Sequence, residues 1–356
     1  MTSKIKTISY AELVNALLAG LPNREREVLK KRNALGDSPR YTLEQIGKDF
    51  NITRERVRQI EKEGLKKIKT LDSAKARLPM IDIESAVVEY LRNHGGVMSE
   101  NYLIEKLLQE NKEQEQRALN FLLVNILADK FERIDNLADY FTVWKLEQVN
   151  LDEILDLSGS LKSLIEKNSR PLSLDELLNQ FQSHEYYEKV DRAEAENQLI
   201  LEALLRLRTD LNKNILGQWG LINWPTIRPK RMTDKAYLIM LRESRPLHFS
   251  EVAELINQAD FDRKRAHPAT VHNELILDEK YVLVGRGIYA LREWGYEEGT
   301  VADIIEKILK EKGPMLKKDL LEEVLKQRLV QRTTINLVLM NKDKFVRMED
   351  GIYSLV

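Results

Sequence analysis

Apolar positions recur at helical spacing through most of this chain and alternate only in short stretches, so a mainly helical protein with small strands is predicted. Leu13, Leu17 and Leu18 line one side of Ser9–Ala19 as an amphipathic helix. Pro22-Asn23 opens a second helix, Arg24 to Arg32, which Gly36-Asp37-Ser38-Pro39 breaks. Thr42 begins a third as a capping box, because Gln45 three residues on can reach back to the cap's N–H. Asn51-Ile52 makes the turn and Thr53 caps a fourth helix. On that helix Val57, Ile60, Gly64 and Ile68 fall on the inward face and Arg54, Glu55, Arg58, Gln59 and Lys62 on the opposite one. The pair reads as a helix-turn-helix.

Leu71-Asp72-Ser73-Ala74-Lys75-Ala76-Arg77-Leu78-Pro79 reads as a linker that closes a first domain at residues 1–78. Beyond it one pattern recurs roughly every 70 residues: a helix, a short buried segment, two more helices and an aromatic-bearing extended pair. The buried segments are Gly96-Val97-Met98, Arg170-Pro171-Leu172, Arg245-Pro246-Leu247 and Gly313-Pro314-Met315. Each unit is predicted to be a winged helix-turn-helix. The clearest wing is Tyr281–Leu291, alternating about Gly285-Arg286-Gly287, with Phe345–Leu355 as its counterpart. The first two wings, at Tyr140–Trp144 and Gly217–Trp224, are more eroded. The predicted units are 80–148, 155–226, 232–297 and 300–356. The fold class is therefore mainly α, an N-terminal helix-turn-helix followed by a tandem array of about four winged-helix units with short β-hairpin wings.

Composition narrows the partners. The absence of cysteine removes disulfides, thiolate zinc sites and thiol nucleophiles, and fits a reducing cytosol. No run approaches the roughly 20 apolar residues of a membrane span, so a soluble, cytoplasmic protein is expected. The net charge of −1 hides an asymmetry: residues 1–80 hold 18 Lys/Arg against 10 Asp/Glu, or +8, which leaves −9 for the remainder. A basic block suits a phosphate backbone, whereas an acidic array is repelled by DNA except through local patches.

The fourth helix has the chemistry to lie in a major groove. Arg suits guanine O6 and N7, Glu accepts from cytosine N4, and Gln pairs with adenine N6 and N7. Arg56, Lys66, Lys67 and Lys69 suit phosphate contacts that set register, with Thr42 and the start of the third helix available for another. The bland alternative is a solvated helix laced by Arg/Glu pairs at three to four spacing.

Three collinear motifs carry a resemblance. Leu21-Pro22-Asn23-Arg24-Glu25-Arg26-Glu27-Val28-Leu29, then Tyr41-Thr42-Leu43-Glu44-Gln45-Ile46-Gly47, then Thr53-Arg54-Glu55-Arg56-Val57-Arg58-Gln59-Ile60-Glu61 closely resemble region four of housekeeping-type bacterial sigma factors, over roughly residues 8–78. The resemblance implies a domain that reads the upstream, minus-thirty-five promoter hexamer in double-stranded DNA and docks on the beta flap of core RNA polymerase. It makes Arg54, Glu55 and Gln59 the base readers and Arg58 a phosphate contact, beside Thr42, Thr53, Arg56, Lys62 and Lys66. Arg32-Asn33-Ala34-Leu35-Gly36 departs from the family's usual basic and aromatic run, and Glu63 stands where a basic residue is frequent. Nothing downstream resembles region two, so promoter melting is not expected of this chain alone.

A second resemblance lies in the third copy. Arg245-Pro246-Leu247-His248-Phe249-Ser250-Glu251-Val252-Ala253, Ala266-His267-Pro268-Ala269-Thr270-Val271-His272-Asn273-Glu274-Leu275 and the Gly285-Arg286-Gly287-Ile288-Tyr289 wing resemble the HARE-type winged helix, a family that includes the delta subunit of bacterial RNA polymerase. Arg263, Lys264, Arg265 and Arg286 are candidate phosphate or minor-groove contacts, with a solvated loop as the alternative. His267 and His272 lack a third metal ligand at suitable spacing and read as capping, packing or partner contacts. The four tryptophans read as packing residues. Glu110-Asn111-Lys112 has the spacing of a nuclease motif but sits in a polar stretch without a strand core. No phosphate-binding glycine loop or nucleophile triad is present, so neither enzyme activity, cofactor, metal nor small-molecule substrate is expected. The leading expectation is a sigma-like, DNA-binding transcription factor. The rival is a delta-like accessory protein that binds polymerase with little sequence reading.

Overall fold

The computed structural model describes residues 9–70, 74–108, 112–127, 131–181 and 194–356. The chain divides into two compact units, Met1–Asn212 with Trp219–Leu221, and Lys213–Gln218 with Ile222–Val356. Both are mainly helical with small antiparallel sheets. Among the described residues no helix is long and apolar enough to cross a membrane.

The first unit opens with α1 (Tyr10–Ala19), α2 (Asn23–Asn33), α3 (Leu43–Phe50) and α4 (Arg54–Thr70). The capping box on α3 forms as expected, with the Gln45 N–H donating to Thr42 Oγ1 at 3.2 Å and the Thr42 N–H to Gln45 Oε1 at 2.8 Å. Ala34 and Asn51 end α2 and α3 in the left-handed region, both with φ of 53°. Val28, Ile46, Val57 and Ile60 then pack with Tyr41, Leu43, Phe50 and Ile52 into a small core that clamps α3 to α4.

Next come α5 (Ala74–Asn93), β1 (Val97–Ser99), α6 (Glu100–Leu107), α7 (Glu113–Asn125), β2 (Glu132–Ile134) and β3 (Val143–Lys145), then α8 (Leu151–Asn168), α9 (Leu174–Phe181), α10 (Glu194–Leu205), β4 (Leu211–Lys213) and β5 (Trp219–Leu221). The expected linker is a correction: from residue 74 it is helical, α5 running straight through Pro79, while 71–73 lie outside the described residues. An interior proline costs a helix about 3 kcal/mol. Ile83, Val87 and Leu91 behind it are fully buried, and each such side chain contributes roughly 1.5–3 kcal/mol, so packing outweighs the break signal.

The expected domain boundaries are also not core boundaries. Tyr10, Leu13, Leu17 and Leu18 share one cluster with Val87, Tyr102, Leu122, Trp144 and Ala203, drawn from the segments expected as three domains. The helix-turn-helix is part of one compact unit with the segments up to Asn212 and with Trp219–Leu221.

The second unit holds α11 (Met232–Glu243), β6 (Leu247–His248), α12 (Phe249–Ala259), α13 (Pro268–Leu277), β7 (Tyr281–Gly285) and β8 (Ile288–Leu291), followed by α14 (Val301–Lys312), β9 (Met315–Leu316), α15 (Lys317–Gln327), α16 (Arg332–Leu339), β10 (Phe345–Arg347) and β11 (Ile352–Leu355). Each set has its own core. They are joined where the Leu329 N–H donates to the Val284 carbonyl at 2.7 Å, and where Arg328, almost wholly buried, donates to the carbonyls of Glu297 and Gly299 at 2.7 and 2.8 Å.

One pairing recurs in all four segments expected as copies. The short segment before the second helix lies antiparallel to the last strand of the hairpin, and an aliphatic residue faces an aromatic one: Met98 and Trp144, Leu172 and Trp219, Leu247 and Tyr289, Met315 and Tyr353. Such cross-strand pairs are the units of sheet stability. The second copy keeps only the bridge at this position.

Candidate nucleic-acid interface

Thr53 starts α4 by accepting the Arg56 N–H on its Oγ1 at 3.2 Å, and Glu55 in the first turn suits the positive end of the helix. The burial pattern divides the helix as its period requires. Val57, Ile60, Gly64 and Ile68 are buried, while Arg54, Glu55, Arg56, Arg58, Gln59, Lys62 and Lys66 are exposed along the other side. Thr42 and Thr53 are exposed at the starts of α3 and α4.

The turn between α3 and α4 depends on Gly47. A Cβ there would sit 2.7 Å from the Ile52 carbonyl oxygen, whose residue is held by an N–H bond to the Gly47 carbonyl at 2.9 Å. Ion pairs fix the surrounding helices. Lys31 pairs with Asp49 at 2.6 Å and lies 5.2 and 5.4 Å from the Tyr41 and Phe50 ring centres, locking α2 to α3. Arg32 reaches Glu61 at 3.7 Å, and burial pushes the Glu61 carboxyl up.

The exposed edge is itself networked. Arg58 grips Glu55 through Nε at 2.9 Å and Nη2 at 2.6 Å, and this hydrogen bonding holds the Glu55 carboxylate below its ordinary range. Arg56 Nη1 donates to Gln59 Oε1 at 3.1 Å and lies 3.9 Å from Glu63. Exposed pairs of this kind are weak and screened, so a nucleic acid competes with them easily. Lys67, expected on phosphates, instead reaches back to Glu25 on α2.

The other candidates belong to the second unit. Arg263, Lys264 and Arg265 are exposed in the loop before α13, and Arg286 is exposed at the hairpin tip. His267 occupies the cap position of α13 without a side-chain bond to the helix, which corrects the capping reading: its ring makes none of the contact a short Ser or Asp oxygen would. His272 packs instead, 4.5 Å from Phe249 and 5.9 Å from Tyr289 between ring centres. Among the described residues no three His, Cys, Asp or Glu side chains gather as metal ligands. Glu110 and Asn111 lie outside the described residues. Trp144 is fully buried and donates from Nε1 to Glu100 at 3.1 Å.

Sequence reasoning missed several structural side chains. Glu115, Asp210, Lys235 and Arg328 act through Tyr10, Lys162, Asp262 and Gly299, each more than 25 residues away, and local spacing gives no sign of them.

Comparison with known proteins locates the likeness in the same helices. Residues 17–70 match the family described as Sigma-70, region 4. The chain is 48% identical over 58 residues to the RNA polymerase sigma factor SigA1 of Synechococcus elongatus, covering 16% of this chain and 14% of that protein. It is 43% identical over 62 residues to the RNA polymerase sigma factor SigA of Lactococcus lactis subsp. cremoris, 17% of each chain. With the RNA polymerase sigma factor SigA of Clostridium acetobutylicum the figures are 49% over 53 residues, 15% of this chain and 14% of the relative. The matched stretch thus spans only about one seventh to one sixth of these relatives, and the likeness belongs to the α1–α4 segment.

Proposed function

We propose that this chain reads promoter DNA through α3 and α4 and acts in transcription initiation with RNA polymerase. The carrying observation is the exposed Arg54, Glu55 and Gln59 edge on a helix whose other edge is buried, within the segment that matches sigma region four. In this reading Arg54, Glu55 and Gln59 contact base edges in the major groove. Thr42, Thr53, Arg56, Arg58, Lys62 and Lys66 contact phosphates and set register. The same domain docks on the beta flap of the polymerase. The four downstream copies are winged helices, the third of HARE type, and they hold polymerase, further DNA or a second protein. No reaction is catalysed and no cofactor is needed.

A second reading rests on charge. The −9 of the remainder favours a delta-like accessory role, in which the chain holds polymerase with little sequence reading. Binding of the full chain to duplexes with an intact or scrambled minus-thirty-five hexamer, over a salt series, separates the two. The expected result is discrimination that Gln59→Ala reduces by roughly 1–3 kcal/mol while salt-dependent affinity persists. Equal binding of both duplexes by the wild type would sink promoter reading, and co-purification with core polymerase would then support the second reading.

A further inference from the structure

The third helices of the four segments differ in what covers them, and that of the fourth, α16, leaves Leu337 69% exposed. In the first copy α1 lies along α7, and Leu13, Leu17 and Leu18 enter the same core as Leu119 and Leu122. In the second, α10 packs against α5 and β1. In the third, α13 buries Val271 and Leu275 on one side only, and Ile276 and Leu277 stand 58% and 81% exposed. Leu283 is also exposed, and it faces Tyr289 across the hairpin. Because the Tyr289 ring meets His272 of α13, Leu283 stands on the α13 side of the sheet.

The chemistry of this face argues against phosphate. No Lys or Arg occurs in α13, and at its C-terminal end Glu274, Asp278 and Glu279 outnumber the exposed Lys280 that follows them. Large aliphatic side chains left uncovered beside an acidic rim mark a protein contact.

We propose that this face of the third copy binds an amphipathic α-helix of a partner protein, its apolar stripe flanked by Lys or Arg, laid along α13 as α1 is laid along α7. The pattern for the complex is already inside the chain, since α1 is an amphipathic helix seated on the corresponding third helix of the first copy. The charge of the rim selects a basic flank. This inference rests on the proposed reading of the downstream segments as copies of one unit and does not depend on DNA reading by α4.

The test uses the full chain and a synthetic helical peptide of Leu and Lys, with Leu at helical spacing, against a scramble of identical composition. Fluorescence anisotropy is expected to show the patterned peptide binding at least about tenfold tighter than the scramble, a preference that Ile276→Ser with Leu277→Ser removes. Both positions are exposed, so thermal melting of the variant should match wild type; should it not, Leu283→Ser serves the same purpose. Equal binding of the two peptides, or a preference that survives these substitutions, overturns the proposal. So does competition by duplex DNA with loss of DNA affinity in the variant, which makes the face a nucleic-acid surface. Self-association of the wild type that the variant abolishes, without peptide binding, makes it a contact between copies and equally overturns the proposal.

Discussion

Glu115, on α7, accepts the backbone N–H of Tyr10 at 2.7 Å across 105 positions of sequence. The same carboxylate takes the Ser9 hydroxyl at 2.9 Å and the Ala11 N–H at 3.3 Å, so a downstream residue supplies negative charge to the first turn of α1. The Tyr10 hydroxyl donates to the Leu107 carbonyl at 2.9 Å, and burial pushes that phenol up to about 12. The first helix is therefore built into the segment of α6 and α7 that follows.

Replacing Glu115 by Ala should lower stability by about 1–2 kcal/mol, the range for a lost helix cap. Denaturant melts of the full chain measure it. Because α1 and α2 contribute to a core completed by α5–α7, a fragment of residues 1–80 should fail to melt cooperatively. A sharp, reversible transition for that fragment would show the core to be dispensable.

Gly47→Ala sets two effects against each other. Alanine gains about 1 kcal/mol of helix propensity over glycine. Its Cβ would meet a backbone oxygen at 2.7 Å within a hydrogen-bonded turn, and overpacking of this kind costs typically 1–3 kcal/mol. The variant should be less stable and, in the DNA-reading hypothesis, should bind duplex more weakly, since the turn sets the angle of α4. A melting temperature at or above wild type would contradict this.

Lys235 is almost wholly buried and pairs with Asp262 at 2.6 Å. Asp262→Ala leaves that charge without its partner, a change that costs about 3–5 kcal/mol in a fully buried pair and less here, because Asp262 is partly exposed. Lys235→Met, which removes the charge and keeps the volume, should cost less. Chemical denaturation of the two variants side by side decides it; the reverse ranking would mean that the pair is not what holds this site.

Asp210 supplies a pH dependence. Burial alone would raise its carboxyl, yet Arg208 at 2.7 Å and Lys162 at 2.9 Å bring it down to about 2. A carboxyl lowered by folding adds stability that is full above its unfolded value and lost as pH falls through the folded one. Wild-type stability should therefore decline between about pH 4 and pH 2, and Asp210→Asn should flatten that decline. Parallel declines in the two proteins would assign the acid loss to other groups.

The helix-turn-helix was legible because its signals are local. The Thr42–Gln45 box, the Asn51 turn, the Thr53 cap and the inward row Val57, Ile60, Gly64 and Ile68 all lie within a few residues of what they control. One recurring signal was legible for the same reason, a short buried segment followed by an aromatic strand, and the two meet as Met98–Trp144, Leu172–Trp219, Leu247–Tyr289 and Met315–Tyr353. The linker was misread because Pro79 is a local break signal, while Val87 and Leu91 answer to partners far away in the chain.

Periodicity and capping by themselves determined which residues of α4 face outward and where α3 and α4 begin, because both depend on contacts within one or two turns. Only the tertiary structure decided that Glu115 caps α1 and that α7 is covered where Ile276 and Leu277 of α13 are bare. Those outcomes depend on which surfaces find partners when distant segments pack, and burial of that kind leaves no spacing in the sequence to read.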